Sequence, residues 1–98
     1  MFEATKEQIE EWKAKHKDVW LLKVGADSAC YLKKPSRKAL GYASMAAQSN
    51  PLKFNEVILE DCWLGGDEEI KKDDNLFLSA SKKLAELIEI EDAELGKL

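Results

Sequence analysis

The stretch from residue 29 to residue 47, ACYLKKPSRKALGYASMAA, constrains the fold of this chain more than any other part of it. Its first residues are typical of a strand, and Pro35 ends that strand because proline has no backbone N–H to donate to a sheet. Ser36 is a favoured residue for capping the start of a helix. Small residues then recur at helical spacing, namely Ala39, Leu40, Ala43, Ala46 and Ala47. The stretch therefore predicts a strand that turns directly into a helix over residues 37–48.

The residues before this stretch predict a partner strand. Residues 19–24 are mostly aliphatic or aromatic, and residues 25–28 (Gly-Ala-Asp-Ser) are typical of a turn. We therefore expect a β-hairpin of residues 19–24 with 29–34, and we expect Trp20 in the core. Two strands alone are only marginally stable in water, so the hairpin must pack on helices or gain another strand.

Helix signals lie on both sides of the hairpin. Thr5 and Gln8 match a capping box, which predicts a helix over residues 6–16. Asn50-Pro51 combines a capping residue with a proline at the first helical position, and it predicts a second helix over residues 51–64. We expect Gly65-Gly66 to end that helix.

The C-terminal part predicts one further short helical turn and one long helix. Asp67 is expected to cap the turn, and Asp73 or Asp74 to cap a helix over residues 75–90. The apolar residues of that helix follow the spacing of one helical face: Leu76, Phe77, Ala80, Leu84, Leu87 and Ile88. Residues 91–98 are expected to fray. With 98 residues the chain is long enough for one core, so we predict a single α+β domain over 1–98, with an N-terminal helix, a hairpin and three to four packed helices.

The charge is unevenly distributed along the chain. The net charge is −4, made of +3 in residues 1–49 and −7 in residues 50–98. Such asymmetry can orient a partner or guide self-association, and it can equally serve only to keep two faces solvated. We expect a cytoplasmic location, because the first residues, Met-Phe-Glu, lack a basic start and no apolar run approaches a membrane span of about 20 residues. Cys30 and Cys62 are expected to be buried, reduced thiols.

Catalytic chemistry is not indicated by any local pattern. His16 is the single histidine, and it lies in a different predicted element from either cysteine, whereas nucleophilic catalysis needs a base beside the nucleophile. The acidic runs at residues 67–69 and 73–74 lack the alternating spacing of a calcium loop and are expected to start helices. We therefore predict a non-enzymatic protein with no metal or cofactor.

A basic cluster at the strand–helix junction is the local feature best suited to recognise an anion. It consists of Lys33, Lys34, Arg37 and Lys38, with Tyr31 and Tyr42 nearby. Nucleic-acid binding usually needs a wider stripe on a basic domain, and the isoelectric point here is about 5.0. Two alternatives remain open: a small nucleic-acid-binding or regulatory module, and a structural role in which Arg37 pairs with an acid of the C-terminal half.

The elements together resemble a family of proteins. The strand and junction YLKKPSR (residues 31–37), followed later by CWLGGD (residues 62–67), are similar to small proteins of phage and prophage tail operons, in particular tail assembly chaperones. Pro35 and Arg37 carry the resemblance residue by residue. It implies a chaperone that binds the tape-measure protein before the tail tube polymerises. Apart from the resemblance, the charge asymmetry is compatible with a homo-oligomer. The surface expected to bind the partner comprises Tyr31, Lys33, Lys34, Arg37, Lys38 and Trp63.

Overall fold

The computed structural model describes residues 1–88 and 93–98 and shows a mixed α+β architecture. Its elements are α1 (Lys6–His16), β1 (Trp20–Val24), β2 (Ser28–Leu32), α2 (Arg37–Ala47), α3 (Leu52–Cys62), β3 (Trp63–Gly66), α4 (Glu69–Lys72) and α5 (Asp74–Ile88). The predicted fold class is confirmed. The predicted end of the last helix and the first residues of the predicted fraying tail lie outside the described residues. Residues 93–98 form neither helix nor strand.

The predicted caps of α1 and α2 are present. At α1 the Thr5 side chain accepts from the Gln8 backbone N–H at 3.1 Å, and the Gln8 side chain accepts from the Thr5 N–H at 2.9 Å. The Ser36 hydroxyl accepts from the Ala39 N–H at 3.0 Å, which fixes the start of α2 directly after the proline. Each cap satisfies an amide that has no partner within its own helix.

The hairpin is completed by a third strand. The sheet is antiparallel in the order β1-β2-β3, and Trp20 pairs with Leu32 while Val24 pairs with Ser28. All five residues of the central strand β2 are buried. The Ser28 hydroxyl, a buried polar group, donates to Glu69 Oε1 at 2.9 Å. The sheet thus gains the additional strand that a two-stranded ribbon needs.

The predicted helix over residues 51–64 is wrong at its C-terminal end. α3 ends at Cys62, and Trp63 is already extended, with a ψ of 121°. Gly65 and Gly66 do not terminate a helix but pair with β2, Gly66 opposite Cys30. A Cβ atom on Gly66 would lie 2.4 Å from the Cβ of Cys30, so only glycine allows the two strands to come this close.

Asp67 does not cap α4, in contrast to the prediction. Its carboxylate Oδ2 accepts from the backbone N–H of Phe2 and from that of Ala29, each at 2.9 Å. These amides hold the pKa of the Asp67 carboxyl below its usual value, because they stabilise the ionised form. One carboxylate therefore connects the N-terminal segment, β2 and the end of β3.

The core lies between the sheet and the helices α3, α4 and α5. Its largest fully buried side chains are Leu32, Ile58, Leu59, Ile70, Leu84, Cys30 and Cys62. The predicted apolar face of α5 is confirmed, because Ala80, Leu84 and Leu87 are buried and its other members pack beside them. None of the described helices is long and apolar enough to cross a membrane.

Candidate interaction surface

Tyr31 belongs to the interior and not to the exposed surface of the junction. Its side chain is 9% exposed, and its ring contacts Phe2 and Trp12, with centroid distances of 6.0 Å and 5.5 Å. The Tyr31 hydroxyl accepts from the Ala4 N–H at 3.4 Å. Tyr31 is thus removed from the predicted binding surface, and it attaches the N-terminal segment and α1 to the sheet.

Lys33 takes the structural role that the sequence left open for Arg37. Its ammonium lies 3.5 Å from Asp61 Oδ2 of α3, and both side chains are mostly shielded from water. The same Asp61 oxygen accepts from the Ser36 backbone N–H at 3.0 Å. Asp61 therefore fixes the strand–helix junction against α3, whereas among residues 1–88 and 93–98 Arg37 has no ion pair.

The remaining cations of the cluster are exposed. Lys34, Arg37 and Lys38 all face solvent, and the ammonium of Lys34 lies 5.9 Å from the ring centroid of Trp20. Trp20 is 36% exposed, so the expectation that it lies in the core is wrong. It sits at the first position of β1, a strand at the edge of the sheet, where only one side has a neighbouring strand.

Trp63 is half-buried, and a lysine side chain packs against the face of its ring in a cation–π contact. The Lys71 ammonium lies 4.3 Å from the Trp63 ring centroid and within 3.4–3.5 Å of the carboxylates of Glu60 and Glu68. A cation over an indole face is an attractive arrangement. The Trp63 ring is therefore covered in part by a lysine of α4, and in the sheet Trp63 lies opposite Leu32, two residues before Lys34.

A concave surface between α2 and α3 was not predicted from the sequence. This α2–α3 groove has a volume of about 720 Å³. Ala39, Ala46 and Val57 supply its apolar lining, and the Tyr42 ring borders it with 68% of the residue exposed. The charged residues around it are Lys38, Lys53, Glu56, Glu60 and Asp61. The small-residue stripe of α2 was the available signal, because alanines let two helices approach closely.

The thiols and the histidine are not brought together. Cys30 and Cys62 are free, fully buried thiols, as predicted, and burial raises the pKa of each to about 12. His16 is exposed at the end of α1. Within the described ranges there is also no group of three or more histidine, cysteine or carboxylate side chains that could hold a metal ion.

Comparisons of the chain with protein-family models, with curated proteins and with solved structures gave no match.

Proposed function

We propose that this chain is a non-enzymatic protein-binding protein and that the α2–α3 groove is the surface that binds the partner. The exposure of Tyr42 beside an apolar groove is the observation that carries the proposal. Tyrosine is enriched at the energetic centres of protein interfaces, because its ring supplies a large contact area at a low entropic cost. The protonated, buried thiols support a role in binding over one in nucleophilic catalysis.

The shape of the groove suits an amphipathic helix. α2 and α3 each have 11 residues and are therefore about 16 Å long, which corresponds to three turns of a bound helix. Helix-in-groove recognition uses apolar anchors at positions i, i+3, i+4 and i+7. Lys38 lies on the α2 side, and Glu56 and Glu60 on the α3 side, so polar contacts can orient the bound helix.

The resemblance of residues 31–37 to tail-operon proteins is the basis on which we propose a specific partner. We propose a tail assembly chaperone that keeps an apolar helical segment of the tape-measure protein covered before the tail tube forms. The long tape-measure chain would present amphipathic helices of the kind that the groove accommodates. The choice of the tape-measure protein rests on the junction sequence. The groove supports only the more general proposal that the chain binds a protein.

Co-expression with the tape-measure protein of the same operon tests the proposal. We expect a complex that survives affinity purification at low salt, and we expect Tyr42→Glu to reduce recovery of the complex at least about tenfold, as for an interface anchor. Leu78→Glu is the matched control, because Leu78 on α5 is 45% exposed and lies outside the groove. If the wild-type protein forms no complex, the chaperone proposal fails. If Tyr42→Glu and Leu78→Glu reduce recovery of the complex equally, the groove is not the binding surface.

A second candidate function, nucleic-acid binding, is supported by one observation. Lys34, Arg37 and Lys38 are exposed, and the exposed Tyr42 follows Lys38 by one helical turn, so cations and a stacking ring lie close together. Fluorescence anisotropy with a labelled single-stranded oligonucleotide tests this function. Binding that weakens steeply with salt and disappears when the three cations are replaced by alanine would establish it. Absence of binding by the wild-type protein at low salt would dismiss it.

A further inference from the structure

The outer edge of β1 is a second apolar surface, separate from the α2–α3 groove. β1 has β2 on one side only, and among the described residues no backbone hydrogen bond reaches its other side. Trp20 is 36% and Leu21 50% exposed, and a depression of about 390 Å³ runs between this strand and α5. Open strand edges can bind other strands, and proteins often protect them with proline, bulges or charged side chains. The sequence of β1, WLLKV, has a single lysine.

We propose that this edge pairs with the same edge of a second copy of the chain. In such a homodimer the two β1 strands run antiparallel about a two-fold axis at Leu22, and the two three-stranded sheets become one sheet of six strands. This interface is independent of the partner proposed for the α2–α3 groove.

The distribution of charge on β1 disfavours one register of such a dimer. With the axis at Leu22, Trp20 lies opposite Val24 of the second copy, and Leu21 lies opposite its Lys23. A shift of the axis to Lys23 would place two lysines directly opposite each other, which is unfavourable. The register centred on Leu22 avoids this contact, and each of its residue pairs occurs twice, as in any interface between identical surfaces.

The helix beside the edge is also complementary to itself. α5 contributes Lys83 and Glu86 to the depression, and their charged groups lie 3.7 Å apart. In the proposed dimer the two-fold axis presents the second copy of this pair in the reverse order, which allows each lysine to face a carboxylate of the other chain. A partner peptide would need its own acidic residue at this place, whereas a second copy already has one.

Sedimentation equilibrium tests the homodimer over protein concentrations from about 1 µM to about 1 mM, the range in which small interfaces associate. We expect a monomer–dimer equilibrium in the wild type. Leu21→Lys places a lysine opposite Lys23 of the other chain twice per dimer, and it should weaken the dimer at least about tenfold. Leu21→Glu places a carboxylate there and should preserve or tighten it. Leu78→Lys, at a similarly exposed position on α5, should change nothing.

Three outcomes would overturn the proposal. They are a monomer at about 1 mM, a Leu21→Lys variant that associates like the wild type, and a Leu21→Glu variant weakened as much as Leu21→Lys. Circular dichroism of each variant checks that the fold is retained.

Cross-linking gives a second, independent measurement. Leu22→Cys places two thiols opposite each other at the two-fold axis, where Cα atoms of antiparallel strands are about 4.5–5.5 Å apart and a disulfide can form. Residue 22 also lies opposite Cys30 on β2, so both this variant and its control are made in a Cys30→Ala background to prevent a disulfide within the chain. The other native cysteine, Cys62, is fully buried. We expect a disulfide-linked dimer on mild oxidation, and much slower linkage for the control Leu78→Cys. Equal rates for the two variants would contradict the register.

Discussion

Replacing Gly66 by alanine is expected to destabilise the fold, whereas the same replacement at Gly41 is expected to stabilise it. A Cβ on Gly66 would lie 2.4 Å from Cys30 Cβ, 2.6 Å from Cys30 Cα and 2.7 Å from the Ala29 carbonyl oxygen. Carbon atoms in contact are normally about 3.5 Å apart, so β3 would have to withdraw from β2 by about 1 Å. That movement would also stretch the backbone hydrogen bond from Asp67 N–H to Ala29 O, which is 2.9 Å long.

The expected magnitude combines these two effects. Overpacking of a close contact costs about 1–3 kcal/mol, and a weakened backbone hydrogen bond about 0.5–1.5 kcal/mol, so we expect Gly66→Ala to lower the free energy of unfolding by about 3 kcal/mol. A Cβ on Gly41 would meet no atom within 4 Å. Because Gly41 lies inside α2, alanine there should raise the free energy of unfolding by about 0.5–1 kcal/mol.

Equilibrium unfolding in urea measures both changes. Three tryptophans report on the packing, and far-ultraviolet circular dichroism reports on the helices. With a slope of about 1 kcal/mol per molar urea for a chain of this size, the unfolding midpoint should fall by about 3 M for Gly66→Ala and rise by less than 1 M for Gly41→Ala. A Gly66→Ala protein within about 0.5 kcal/mol of the wild type would refute the placement of β3 against Cys30.

Two further predictions concern pH. The Phe2 and Ala29 amides lower the pKa of the Asp67 carboxyl in the folded protein. The contribution of Asp67 to the free energy of unfolding is therefore present above the unfolded pKa of about 3.9 and is lost as the pH falls through the folded value. The free energy of unfolding of Asp67→Asn should accordingly depend less on pH below about 4 than that of the wild type. Burial raises the pKa of Cys30 and Cys62 from 9.0 to about 12, so their contribution is complete below pH 9 and is lost as the pH rises towards 12. The free energy of unfolding measured in urea should therefore be lower at pH 11 than at pH 8. In a separate experiment at pH 8, a thiol reagent should label both cysteines only in the unfolded protein. Rapid labelling without denaturant would contradict their burial.

Local signals were sufficient to predict most of the fold. The capping residues Thr5, Ser36 and Asp73 act within three or four positions of themselves, so the sequence alone indicates where α1, α2 and α5 begin. The turn at residues 25–27 likewise needs only its own residues, and Gly25 supplies the positive φ of 66° that it requires.

The strand β3 could not be predicted in the same way. Ile58, Leu59, Cys62 and Trp63 continue one helical pattern, and the end of α3 at Cys62 is decided by a distant partner, the free edge of β2. The two adjacent glycines were the available signal. They are equally compatible with a helix stop and with a close approach of strands, and only the position of Cys30 separates these interpretations.

The candidate surface was predicted only in part for a related reason. The sequence places Tyr31 next to the basic cluster, but strand alternation and the approach of Trp12 turn its ring away from solvent. The α2–α3 groove combines Tyr42 with Val57, which are 15 positions apart. Such a surface depends on how two helices pack, and no local motif encodes it.

The direct junction between α3 and β3 limits how the length of this chain can change. Cys62 is the last residue of the helix and Trp63 the first of the strand, so no linker separates them. A single inserted residue would rotate one element against the other by about 100°, since a helix has 3.6 residues per turn. Insertions between α2 and α3, at residues 48–51, only lengthen a surface connection. Related chains that share this fold should therefore differ in length there and keep the junction at 62–63 constant.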